Sequence, residues 1–184
     1  MDVAIVYESL FGNTREIAEA IAGGVRDADP AAQVALVRAA DATAGRADGP
    51  GLLIAGGPTH MRGMSSDMTR RKGLDNEEKA AKDKGQAFHP EDGAAGPGIR
   101  DWLGQLPKAR PGARAAAFDT RAGFRLAGGA ARKIARGLRR RGYALATGPE
   151  GFIIEGTEGP LRAGERERAR AWGAALTRDL ARTA

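Results

Sequence analysis

The chain opens on Val3-Ala4-Ile5-Val6-Tyr7, which runs directly into Glu8-Ser9-Leu10-Phe11-Gly12-Asn13-Thr14. The first five residues form a short apolar run, the pattern of a strand buried on both faces of a parallel sheet. A loop of hydroxyl, amide and glycine residues follows. Behind it Ile17, Ile21 and Val25 recur at four-residue spacing and mark one apolar helix face. Asn13 stands where that helix should begin, with Glu16 three positions on, a close relative of the capping box. Such a loop aims free N–H groups and hydroxyls at one point beside the positive end of a helix dipole, which is how a phosphate is held. Neither Gly-x-Gly-x-x-Gly nor Gly-Lys-Ser/Thr follows the strand, so the dinucleotide fingerprint and the ATP-type P-loop are both set aside.

Working outward, Val34-Ala35-Leu36-Val37 reads as a second strand and Leu52-Leu53-Ile54-Ala55 as a third, ending in Gly56-Gly57-Pro58-Thr59. Residues 65–98 lack sustained apolar periodicity and are rich in charge, Gly and Pro. A stretch this long reads as a lid, a mobile insert or a partly helical segment. Ile99, Trp102, Leu103 and Leu106 have helical spacing, and residues 113–118 form a fourth strand that is mostly alanine. Residues 126–141 read as a helix with Ala127, Ala131, Ile134 and Leu138 on one face, stopped by Gly142. Phe152-Ile153-Ile154 marks the last strand, and a final helix from about Glu165 turns Ala169, Trp172, Leu176 and Leu180 inward. Alternating strands and helices imply right-handed crossovers and a parallel sheet covered on both faces. The expectation is one α/β domain over residues 1–184, a three-layer sandwich with strand order 2-1-3-4-5. Ligands then bind at the carboxyl ends of strands 1, 3 and 4.

Composition narrows the function. With 184 residues, 42% of them hydrophobic, the chain can bury a sizeable core without staples. It has no cysteine, which excludes disulfides, thiol catalysis, cysteine-ligated zinc and iron–sulfur clusters. No early apolar stretch approaches signal-peptide or membrane-span length, so a cytoplasmic protein is expected. Its two histidines, His60 and His89, have no metal-ligand spacing, and no metal is expected. No Gly-x-Ser-x-Gly occurs, which argues against a serine hydrolase. The net charge is +6, and it is uneven: residues 1–67 hold 9 acidic and 5 basic side chains, leaving 14 acidic and 24 basic in the remainder. The run Arg132, Lys133, Arg136, Arg139, Arg140 and Arg141 is either a solvated helix face or a docking surface for an acidic redox partner. Nucleic-acid binding is not expected, because aromatics are only 5% and no recognised module is present.

Ser9, Gly12, Asn13 and Thr14 resemble the phosphate loop of the flavodoxin family, usually Ser/Thr-x-Thr/Ser-Gly-Asn-Thr. Phe11 departs from that pattern in a way familiar from the flavodoxin-like NAD(P)H:quinone oxidoreductases. The stretch Gly56-Gly57-Pro58-Thr59-His60-Met61-Arg62-Gly63-Met64 resembles the second flavin-binding loop of that branch, without the aromatic residue that usually stacks there. Asp119-Thr120-Arg121-Ala122-Gly123-Phe124 occupies the third-loop position but matches the family poorly.

The resemblance implies a flavodoxin-like fold that binds FMN non-covalently and passes electrons. Ser9, Leu10, Phe11, Gly12, Asn13 and Thr14 would hold the phosphate. Pro58, Thr59, His60, Met61, Arg62 and Gly63, with Asp119, Thr120 and Arg121, would bracket the ring. Phe124 either contacts the ring or folds back over the next helix. The implied partner is a redox protein, acidic by charge complementarity, or a quinone if the chain is an FMN-dependent NAD(P)H:quinone oxidoreductase. A flavodoxin-like binding module without flavin is the third reading. Family carriers are typically acidic, whereas Arg62, Arg121 and Arg125 here lie on loops expected to face the ring. Positive charge there should favour the reduced anion and raise the reduction potential.

Overall fold

The computed structural model describes residues 1–42, 51–60, 63–85, 87–124, 128–156 and 159–183. Its central strand is β1 (Asp2–Tyr7), flanked in parallel by β2 (Gln33–Arg38) and β3 (Leu52–His60). A two-residue strand β4 (Gly63–Met64) folds back antiparallel on the end of β3, and β5 (Arg114–Ala122) lies parallel on its far side. The sheet edge is shared by β6 (Ala144–Leu145) and β7 (Glu150–Ile154), which pair in parallel with opposite ends of β5 and fill one strand position between them. The parallel order is thus 2-1-3-4-5, with the fifth strand interrupted.

Both faces of the sheet are buried. Val3, Ile5 and Tyr7 of β1, Leu52 and Ile54 of β3, and Phe118 of β5 pack on α1 (Asn13–Ala28) and α5 (Glu165–Thr183). The alternate residues Ala4, Val6, Leu53, Ala55 and Ala117 pack on α3 (Ile99–Gln105) and α4 (Ala131–Arg140). Burial on both faces is why these strands read as continuous apolar runs. Ile17, Ile21 and Val25 are fully buried, as their spacing requires. Phe118, Phe152 and Trp172 make an edge-to-face triangle with ring centroids 6.2–6.5 Å apart.

Three expectations shift and one open alternative is resolved. The N-cap of α1 is Gly12 rather than Asn13, and no side chain caps it; Gly12 takes φ +92°, which frees the loop to turn where a side-chained residue would be strained. Within residues 65–98, the partly helical alternative holds: α2 (Asp67–Asp83) is capped by Ser66 and Thr69 in a reciprocal box and keeps only Arg70 buried. That sparse burial explains its missing apolar period. Helix α4 begins at Ala131, after Gly128 takes φ +74°; Leu126 and Ala127 lie outside the described residues. Residues 56–60 extend β3 as strand, and β5 runs on to Ala122.

Helices α1 and α5 meet backbone to backbone. A Cβ on Gly24 would fall on the carbonyl of Arg170, and one on Gly173 would fall on the carbonyl of Ile21. Gly24→Ala should therefore destabilise the protein by about 2–3 kcal/mol, read from the urea midpoint at unchanged m-value.

Candidate functional site at the strand ends

The first loop leaves β1 at Glu8, whose N–H donates to the Gly56 carbonyl at 3.0 Å, binding the start of this loop to β3. Gly12 N–H then donates to Ser9 Oγ at 3.1 Å, and the Gly12 carbonyl accepts from Glu16 N–H at 2.9 Å, starting α1. Thr14 Oγ1 lies 2.7 Å from Thr120 Oγ1 on β5, and both side chains are buried. Ser9, Leu10, Phe11, Asn13 and Thr14 share one small cleft of about 30 Å³ with Pro58, Thr59, His60, Thr120 and Ile154. Loops far apart in sequence therefore converge where the topology places ligands.

Three further segments press on this cleft. A Cβ on Gly73 of α2 would lie 3.7–3.9 Å from His60, Leu10 and Phe11, so α2 roofs the first two loops. Glu91 donates its N–H to the Leu10 carbonyl at 3.1 Å, and its carboxylate accepts from Arg15 Nε at 3.0–3.1 Å. Gly159, at φ +111°, leaves room for the Asn13 amide, which a Cβ there would meet at 2.5 Å.

Several expected site residues also make structural contacts. Asp119 is fully buried and accepts the Ala131 N–H at 2.8 Å, while Thr59 Oγ1 accepts the Ala130 N–H at 2.9 Å. Both side chains thus fasten the start of α4. Burial pushes the Asp119 carboxyl up from its ordinary value, against the opposing pull of Ala131 N–H, Arg121 and Thr59. Arg121 reaches Asp119 at 3.6 Å and the Gly128 carbonyl at 3.3 Å. Phe124 is 62% exposed. Gly63 pairs with His60 in the β3–β4 hairpin. Met61, Arg62 and Arg125 lie outside the described residues.

Sequence reasoning missed a buried polar cluster at the root of the site. The Glu8 carboxylate accepts from the Ser65 hydroxyl and, at 2.8 Å, from Ile99 N–H. Arg70, 3% exposed, binds Asp101 at 3.0 Å and lies beside Ser65. The one signal was Glu8 itself, a charge placed immediately after an apolar strand. Lys133, read from the sequence only as part of the basic run, has its ammonium where a Cβ on Gly63 would stand, so it reaches from α4 to the β3–β4 hairpin. Among the described residues, no three His, Cys, Asp or Glu side chains gather to hold a metal, and no helix is long and apolar enough to cross a membrane.

With this order of strands and these loops, the chain is similar in shape to solved structures. A flavodoxin from Streptococcus pneumonia TIGR4 matches with a TM-score of 0.65 at 16% identity over 100% of each chain. The chain has the flavodoxin fold. A flavodoxin from the domain Archaea gives 0.62 at 19% identity, covering 98% of this chain and 99% of that one. The flavodoxin, WrbA-like protein from Agrobacterium tumefaciens gives 0.54 at 19%, covering 98% of each. No protein-family model and no curated protein sequence matches the chain.

On this flavodoxin fold His60 is half-buried under α2, and burial lowers its pKa despite the opposing Glu8 charge. A histidine held neutral in the folded state takes up a proton more readily when unfolded. Stability should then fall as pH drops below the ordinary value of about 6.5. His60→Asn should flatten that part of a urea-midpoint profile between about pH 7 and 5; an unchanged slope would show that other groups set it.

Proposed function

We propose that this chain binds FMN non-covalently and carries electrons. The observation that carries the reading is the convergence of Ser9, Asn13, Thr14 and Thr120 on one cleft at the carboxyl ends of β1 and β5, with Gly12 in the left-handed turn between them. Hydroxyls, an amide and the N-terminus of a 16-residue helix suit a phosphate and no metal. The cleft of about 30 Å³ takes the phosphate end only, so the ring belongs at its mouth, beside Phe11, Pro58 and His60. The Glu91 carboxylate near Gly12 is matched by Arg15, which would be shared with an arriving phosphate.

When bound, FMN supplies one- and two-electron carriage. The chain's own groups bind and bias it. Thr14 and Thr120 present hydroxyls to the phosphate, and α2 keeps water from Phe11 and His60. Lys133 against Gly63 places positive charge on the hairpin side, which favours an anionic reduced ring. The reduction potential should accordingly lie above that of an acidic flavodoxin. An acidic redox protein is the matching partner for a chain with this charge, and a cytoplasmic location fits that role.

The roof formed by α2 favours a second reading, an FMN-dependent NAD(P)H:quinone oxidoreductase with a sheltered ring. Rapid NAD(P)H oxidation by quinone in the FMN-loaded protein separates the enzyme from the carrier.

Titration of FMN with the protein should quench flavin fluorescence saturably. Thr14→Val keeps the side-chain shape and removes the hydroxyl; it should weaken FMN about tenfold or more. Gly12→Glu should abolish quenching through both strain and charge. Absence of quenching by the unsubstituted protein would leave the flavin-free binding module as the function.

A further inference from the structure

A second cleft, sharing no lining residue with the first, opens between residues 121–124 and 128–129, the first two turns of α4, and β7. Its volume is about 510 Å³, within the range of small-molecule sites, about 300–1,000 Å³. Arg121, Arg132, Lys133 and Arg136 line it, together with Phe124 and Ile153, and among the described residues no Asp or Glu does. Among the described residues, Arg132, Lys133 and Arg136 form no ion pair and no side-chain hydrogen bond. Elsewhere the chain pairs its arginines readily, as Arg168 with Glu150 and Glu165, and Arg170 with Asp27, show. Three like charges within one and a half turns repel one another, so the arrangement is stabilised by an added anion.

The backbone is not the receptor. The N–H groups of Ala130 and Ala131 are already taken by Thr59 and Asp119. Binding would fall to the side chains, where guanidinium forks match phosphate oxygens in pairs. Phe124 adds the second half of the recognition. It is one of two large apolar side chains left exposed among the described residues, and its ring stands in the wall of the basic cleft. A ring beside several cations suits a ligand that carries both a flat face and several negative charges.

We propose that this cleft is a binding site for a nucleotide bearing two or three phosphates. The phosphates would lie on Arg132 and Arg136, and the base on Phe124. This site is separate from the FMN phosphate cleft and does not depend on the flavin reading.

Calorimetric titration of the full chain with ATP, tripolyphosphate and adenosine at low and moderate salt tests this. ATP should bind at one site, about five- to tenfold tighter than tripolyphosphate, with adenosine weaker than both. Phe124→Ala should bring ATP down to the tripolyphosphate level and leave tripolyphosphate unchanged. Arg132→Ala/Arg136→Ala should weaken both by about tenfold or more. All three side chains are exposed, so thermal melting should hold for each variant and exclude misfolding. FMN binding should survive Arg132→Ala/Arg136→Ala, and ATP binding should survive Thr14→Val; the two readings therefore fail separately. No ATP binding, equal affinity for ATP and tripolyphosphate, or loss of FMN binding in the double variant would each overturn the proposal.

Discussion

The buried Glu8 carboxylate is the contact on which the rest of the site depends. It sits at the end of β1, one residue before the phosphate-type loop. It holds the Ser65 hydroxyl ahead of α2 and the Ile99 N–H at the start of α3. Arg70 and Asp101 complete the charge pattern around Ser65 and Gly98. A buried charge in such a cluster is tolerated only because its oxygens are met by donors, and removing one member of such a set costs about 3–5 kcal/mol. The same carboxylate therefore fixes where the first loop lies, where α2 crosses it, and where the second core layer begins.

The electrostatics of the two clefts differ in kind. In the first, charges are matched locally: Glu91 faces Arg15, and the Thr14 and Thr120 hydroxyls face each other. Such a cleft is neutral and hydroxyl-lined, suited to a ligand held by directed hydrogen bonds. In the second, Arg132, Lys133 and Arg136 stand without counter-charges among the described residues, so long-range attraction dominates and salt should weaken it. Lys133 also lines the second cleft, and its ammonium lies against Gly63 of the β3–β4 hairpin.

Much of the layer architecture was legible in the sequence because burial on both faces writes itself as unbroken apolar runs. Val3 to Tyr7 and Leu52 to Ala55 carry that signature, and the Ile17–Ile21–Val25 spacing carries the helix that covers one side. Helix α2 was ambiguous because it buries almost nothing; its stability rests on the Ser66–Thr69 cap and on Arg70, neither of which makes a period. The start of α4 was misplaced because Leu126 and Ala127 continue the apolar spacing, whereas the turn at Gly128 and the caps from Thr59 and Asp119 set the boundary from other parts of the fold. At the site, the Ser9-to-Thr14 loop was readable from local order. The pairing of Thr14 with Thr120 was not, since 106 residues separate them and only the sheet brings them together. Asp119 and Thr59 stand at strand ends, where ligand contacts are expected, and each also accepts an N–H at the start of α4, a second role that spacing along the chain does not reveal.

The central claim is that the first loop recognises a flavin through its phosphate. Comparing the affinities of FMN and riboflavin isolates that claim, because the two ligands share the ring and differ in the phosphate alone. The account predicts saturable binding of FMN, with riboflavin weaker by a factor of about one hundred or more, as expected when several charge-assisted hydrogen bonds are lost. Equal affinities, or no binding of either, would contradict it.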